Sequence, residues 1–257
     1  MPKKPSNRSQ QPSTSRARTQ LSSDDEFDQE ISFSSMPSNN IETVSNNLVK
    51  YLLNYSATKN PIKRSDIAKN VNIHPKIFAD VLKSASYKLK DIYGMEISEL
   101  PESRSGKMYI LYSEFNSIVS SQQLTKQQQE MTTFLFIILS YIFMKGGEVH
   151  ESHLFQYLEQ LDINCNETHS EFGDISDLIC KVFTKQQYLK RTKVEIEGVN
   201  DPVIHVSWGT RAEKEFNKAK ILSAVAEIMK KSPISFTSQY HAVHGEEPQS
   251  CNSIVID

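Results

Sequence analysis

The chain has 257 residues, a net charge of −2 and 38% apolar residues. That length fits one large domain or two small ones, and so slight a charge names no polyanionic partner. Cys165, Cys180 and Cys251 form no Cys-x-x-Cys pair, which argues against a disulfide scaffold or a zinc knuckle.

Residues 1–40 read as a disordered tail, with a basic start at Lys3, Lys4, Arg8, Arg16 and Arg18 and then an acidic block, Asp24, Asp25, Glu26, Asp28 and Glu30. No apolar signal core stands at the start. The longest apolar run, Phe134 to Met144, is interrupted by Ser140 and too short to span a bilayer. A protein of the nucleus or cytosol with no membrane partner is expected.

Residues 41–112 read as a first module. Ile41, Val44, Leu48, Leu52 and Tyr55 recur at helical spacing, and Asn60-Pro61 breaks the helix. A short helix follows over 64–70. His74-Pro75 opens a third, with Ile77, Val81, Ala85, Leu89 and Ile92 as its buried stripe and Gly94 as its stop. Residues 95–100 and 108–112 alternate around a turn, as a hairpin does. Three helices and a two-stranded ribbon make a winged helix. Residues 113–128 read as a polar linker, across which tandem modules move by default.

Residues 129–231 repeat the order. The helix 129–145 is apolar nearly all round, so it is central and buried, and Gly146-Gly147 stops it. Helices over 152–161 and 174–184 and strands over 189–196 and 203–208 follow. Thr210 is placed to cap a last helix running to about Lys231. Residues 232–257 read as a flexible tail. The fold class is therefore mainly α with small β-hairpins, an α+β tandem of winged helices: A over 41–112 and B, with a C-terminal helix, over 129–231.

Five ordered segments carry a family resemblance: LVKYLLNYSATKNPIKRSDI from Leu48, IYGMEISE from Ile92, LFIILSYIFMKGGEV from Leu135, QYLKR to Arg191, and VSWGTRAE from Val206. Over roughly 45–231 the chain resembles a MAGE homology domain. The family reads Trp-Gly-Pro-Arg-Ala in the last segment, and here Thr210 stands for the proline. Without an added long repeat, the chain is most similar to the ancestral type, the non-SMC element three subunit of the SMC five/six complex. That resemblance implies a non-catalytic adaptor in chromosome maintenance and DNA repair. It also implies a RING-type ubiquitin ligase partner of the non-SMC element one type and a kleisin-like partner of the non-SMC element four type, with duplex DNA as a further ligand and no cofactor.

For the RING partner the resemblance points to Leu52 and Leu53. Helix neighbours point about 100° apart, so Leu52 continues the stripe while Leu53 leans outward. For the kleisin it points to the second winged helix, with Phe134, Ile137, Ile138, Ile221, Leu222 and Val225 as candidates, each of which also reads as core. Lys181, Lys185, Lys190, Arg191 and Lys193 read either as a solvated basic face or as phosphate contacts that neutralise without reading sequence. Lys76, Lys83, Lys88 and Lys90 are a weaker set. Ser22 and Ser23, before the acidic block, suit an acid-directed kinase.

Enzyme readings find little support. His150-x-x-His153 is not the His-Glu-x-x-His zinc motif and has no third ligand in register. Gly146-Gly147 lacks the Lys-Ser/Thr ending of a phosphate loop, and no nucleophile elbow appears. The alternatives are an adaptor for a different RING ligase and a stand-alone winged-helix regulator of transcription.

Overall fold

A computed structural model describes residues 38–101, 106–113, 125–165, 167–195 and 202–245. Residues 1–37 with Ser22 and Ser23, most of the 113–128 stretch, the 198–200 turn and Cys251 lie outside the described residues.

The first winged helix runs α1 (Ser38–Ser56), β1 (Ile62–Lys63), α2 (Arg64–Val71), a 3-10 turn (Pro75–Ile77), α3 (Phe78–Tyr93), β2 (Met95–Glu99) and β3 (Met108–Ser113). α1 lies on α3, with Leu48, Val49 and Leu52 against a core that holds Phe78, Val81, Ala85 and Leu89. His74 starts the third helix by accepting the Lys76 N–H on its ring nitrogen, and Pro75 takes a first-turn position where its missing N–H costs nothing. At the other end Gly94 adopts a left-handed φ of 61° and closes onto the Leu89 and Lys90 carbonyls. The stripe differs from expectation at its end. Ile92 is 65% exposed, and the first residue of the helix, Phe78, is buried in the core.

The second winged helix runs α4 (Lys126–Met144), β4 (Glu148–His150), α5 (Glu151–Glu159), β5 (Thr168–His169), β6 (Gly173–Asp174), α6 (Ile175–Asp177) with a π turn over Leu178–Phe183, β7 (Leu189–Val194) and β8 (Val203–Trp208). It closes with α7 (Thr210–Glu215), α8 (Lys218–Ile228), a 3-10 turn (Pro233–Ser235) and α9 (Thr237–His244). α4 is the central helix, buried at Phe134, Leu135, Ile138, Leu139, Ile142 and Phe143. It starts earlier than the apolar pattern suggests, because Thr125 and Gln128 form a reciprocal capping box.

Each hairpin gains a short strand that the sequence did not announce. The sheet orders are β1-β3-β2 and β4-β8-β7, so the two modules share one topology. The last helix is two helices. Gly209, not Thr210, stands at the N-cap of α7, Phe216 is extended, and the Asn217 side chain accepts the Ala219 and Lys220 N–H groups to start α8. The expected flexible tail also gives way over 233–244. There Phe236, Tyr240 and Val243 pack on the second core, and the Gln239 amide donates to the Met144 carbonyl at 2.8 Å.

The two winged helices meet at Arg211. This residue is 2% exposed. Its guanidinium donates to the Gln186 carbonyl (2.9 Å) in its own module, and to the Leu111 (2.6 Å) and Lys59 (2.9 Å) carbonyls of the first. Glu215, one turn on, pairs with it at 3.0 Å and accepts the Tyr188 hydroxyl at 2.6 Å. The Lys59 ammonium in turn donates to the Tyr188 oxygen at 2.9 Å. Burial pushes the Tyr188 phenol well up, with the Glu215 carboxylate adding to it; burial of its charged end pulls Lys59 down. A buried hydrogen-bonded charge network thus spans the two modules, across the linker about which tandem modules are expected to move.

Candidate functional site

A groove of about 800 Å³, the main groove below, lies on the second winged helix. α4 supplies Ser140, Tyr141 and Met144; β4 and α5 supply His150, His153 and Tyr157; α8 supplies Val225, and Met229 follows at its C-cap. Its wall is aromatic: Tyr141 and Tyr157 stack at 4.0 Å with a 10° interplanar angle, and burial, then Tyr141, raises the Tyr157 pKa. The Tyr141 hydroxyl donates to the His153 carbonyl at 3.3 Å, which fixes the ring.

Ser140 lines the groove, 8% exposed, and its buried hydroxyl has no hydrogen-bond partner among the described residues. An unpaired buried hydroxyl costs stability unless something completes it. At the edge, Met229 is 51% exposed, and its neighbour Ile228 is 73% exposed. An aromatic wall and an apolar lip suit a polypeptide segment laid in the groove.

The expected site residues divide by burial. Among the kleisin candidates, Phe134, Ile138, Ile221 and Leu222 are core. Val225 lines the main groove, and Ile137 lines a second, smaller one beside Ile163 and Phe172. Leu52 is buried in the first core, and Leu53 is half-buried against its edge. Leu53 is thus the member of the pair with surface to offer; Leu52 anchors the helix that carries it.

The basic set does not form one patch. Arg191 makes a bidentate pair with Glu151 at 2.7 and 2.9 Å, and Lys181 pairs with Asp177 at 2.7 Å. Lys185, Lys190 and Lys193 are exposed and have no ion pair among the described residues. Strand alternation puts Lys190 on one face of β7 and Lys193 on the other.

The sequence reading missed three things: the Arg211 network, the orphaned Ser140 and the tyrosine stack. The first had a signal. Arg211 stands in Trp-Gly-x-Arg-Ala, and an arginine between the apolar Trp208 and the small Ala212 is a candidate for burial. The other two depend on how α5 and α8 meet α4. Among the described residues, no group of three or more His, Cys, Asp or Glu side chains could hold a metal ion, and no helix is long and apolar enough to cross a membrane.

The MAGE homology domain family model matches residues 48–219. The chain is 34% identical to human "Non-structural maintenance of chromosomes element 3 homolog" over 197 residues, covering 75% of this chain and 63% of that one. The mouse homologue is 32% identical over 208 residues, 79% of this chain and 72% of that one. Human "Melanoma-associated antigen D2" is 32% identical over 196 residues; the match takes in 76% of this chain and only 32% of the antigen. The chain thus spans about a third of that longer relative. Among solved structures, a chain of the "Nse1-Nse3-Nse4 complex" superposes with a TM-score of 0.72 at 32% identity, covering 81% of this chain and 99% of that one.

Proposed function

Because the chain belongs to the MAGE homology domain family, we propose that it is a non-catalytic scaffold that joins a RING-type ubiquitin ligase to a kleisin-like subunit in a chromosome-maintenance complex of the SMC five/six type. The observation that carries this reading is the superposition on nearly the whole of a chain from the Nse1-Nse3-Nse4 complex. The site chemistry supports it: the main groove offers stacked rings and an apolar lip, the features of a protein-docking surface.

In this reading the kleisin-like segment lies in the groove between α4, α5 and α8, with its contacts centred on Tyr141, Tyr157, Val225 and Met229. The RING subunit takes the face of α1 at Leu53. Stimulation of the ligase follows from holding the RING and its conjugating enzyme near the chromosome.

Reconstitution with purified RING and kleisin-like subunits tests the assignment. Met229→Glu places a charge on the exposed lip of the groove and should abolish kleisin capture while leaving RING capture intact. Leu53→Ala should do the reverse. Retention of both partners by both variants would remove the surface assignments. A second reading, sequence-tolerant contact with duplex DNA, draws on the exposed Lys185, Lys190 and Lys193. With about three phosphate contacts it would be weak and would fade within a few-fold rise in salt.

A further inference from the structure

The first winged helix carries a groove that neither partner assignment uses. It measures about 430 Å³ and lies between α3 and the sheet. α3 gives it Ala79, Leu82, Lys83 and Ser86, whose helical spacing puts all four on one face. β2 gives Ile97 and Glu99, which strand alternation puts on one face of the sheet, and Tyr109 on β3 stands directly opposite Glu99. Arg64 and Lys107 also line it, and the Arg64 backbone N–H donates to the Lys107 carbonyl at 2.9 Å.

The floor is apolar and partly open. Phe78 and Tyr109 are buried, whereas Leu82 and Ile97 are only half-buried and leave apolar surface in the trough. The rim is cationic. Glu99 pairs with Lys107 at 2.8 Å, so those two charges offset each other. Arg64 and Lys83 have no carboxylate partner among the described residues. The Arg64 guanidinium lies 4.5 Å from the centroid of the Phe78 ring, a cation–π contact that orients it and leaves its N–H groups for a ligand. An arginine fork pairs with a carboxylate through two parallel hydrogen bonds. Lys83 is the one member of the weaker lysine set that lines the groove; Lys88 donates to Asn46 at 2.7 Å, and Lys90 is paired with Glu96.

We infer that this groove docks a short acidic segment of a partner protein. The segment's carboxylates pair with Arg64 and Lys83, and an apolar side chain between them seats on Leu82 and Ile97. Charge and shape both favour such a ligand, since a net positive rim surrounds an apolar floor in a cleft of ligand-binding size. Duplex DNA fits less well. Its phosphate ridges offer no apolar side chain to the floor, and Glu99 would face them. Neither Leu53 nor any residue of the main groove lines this site, so the inference stands apart from the RING and kleisin assignments.

The test uses the full chain and a fluorescein-labelled peptide of glutamates around a central phenylalanine, followed by fluorescence anisotropy. The wild type should bind it, more weakly as salt rises. Lys83→Glu reverses a charge on an exposed side chain, which spares the fold, and should weaken binding about tenfold or more. Arg64→Ala should do the same, and Arg64→Lys should restore only part of the loss, because an ammonium has no fork. Lys214→Glu, at an exposed lysine of the second winged helix, should change nothing. A peptide with serine in place of the phenylalanine should bind more weakly.

A second readout needs no variant. In amide correlation spectra of the wild type, the Leu82, Lys83 and Ile97 signals should shift first as peptide is added. Absence of peptide binding by the folded wild-type chain would overturn the inference. So would undiminished affinity in Lys83→Glu, or amide shifts centred outside this groove. Displacement of the peptide by duplex DNA at a lower concentration than by unlabelled peptide would reassign the groove to nucleic acid.

Discussion

Replacing Arg211 with alanine should uncouple the two winged helices. The guanidinium is 2% exposed and serves three backbone carbonyls and Glu215, whose own side chain is 4% exposed. Removing one partner of such a buried pair costs about 3–5 kcal/mol, because the other charge stays buried and unpaired. Against a total stability of about 5–15 kcal/mol, that is a large share. Arg211→Lys keeps the charge but loses the planar fork that reaches both modules, so it should cost about half as much. Arg211→Met with Glu215→Leu should recover only part of the loss: neither of those two charges is then stranded, but Lys59 loses its carboxylate partner and the three carbonyls their donor.

The assay is urea unfolding with two probes. Trp208, the only tryptophan, is buried in the second module and its indole N–H donates to the Leu139 carbonyl at 3.0 Å, so its fluorescence reports that module. Far-ultraviolet circular dichroism reports both. In the wild type the two transitions should coincide; in Arg211→Ala they should shift to lower urea and separate. A loss under about 1 kcal/mol with coincident transitions would refute the reasoning, because that is the scale of an exposed ion pair.

Other perturbations test neighbouring steps. Gly209→Ala should destabilise by several kcal/mol in the same unfolding assay, since an added Cβ would lie 2.4 Å from the Gln187 carbonyl oxygen and 2.7 Å from its carbon, both rigid backbone; a fully stable variant would show that this turn can relax. Burial raises the Cys165 thiol to about 11 from 9.0. The folded state thus favours the protonated thiol, and the stability this contributes is complete below pH 9 and lost as pH rises toward 11. Cys165→Ala should flatten the fall in urea midpoint across that window, and an unchanged fall would place its cause elsewhere, Tyr188 being the next candidate. Lys190→Ala with Lys193→Ala should lower the salt slope of duplex DNA binding by about two, as measured by fluorescence anisotropy; an unaltered slope would remove these lysines from any DNA contact.

Much of the fold was legible because its signals are local. The apolar run of α4, the Gly94 stop and the hairpin alternation each follow from short-range periodicity or turn chemistry. The Trp-Gly-x-Arg-Ala segment was legible as a pattern, and its physics emerged only in three dimensions. Trp208 ties β8 to α4, Gly209 passes against the Gln187 backbone, Arg211 latches the modules and Ala212 is fully buried. Thr210 in place of the family's proline costs little, because it holds the first position of α7, where a proline's missing N–H is not needed.

What stayed hidden is set by tertiary register. Apolar residues on α4 and α8 could not be sorted into core and groove, since Ile138 and Val225 differ in burial through what packs over them and not through residue type. The break at Asn217 was hidden too. A helical run of charged and apolar residues continues across it, and only a side chain that caps the next turn interrupts the backbone.

Affinity purification of the tagged full chain from nuclear extract, read by mass spectrometry, tests the scaffold reading most directly. The account predicts recovery of a RING-type subunit together with a kleisin-like subunit and chromosome-maintenance ATPases, with Met229→Glu losing the kleisin and keeping the RING protein. Recovery of a RING ligase without a kleisin, or of no RING protein at all, would contradict it.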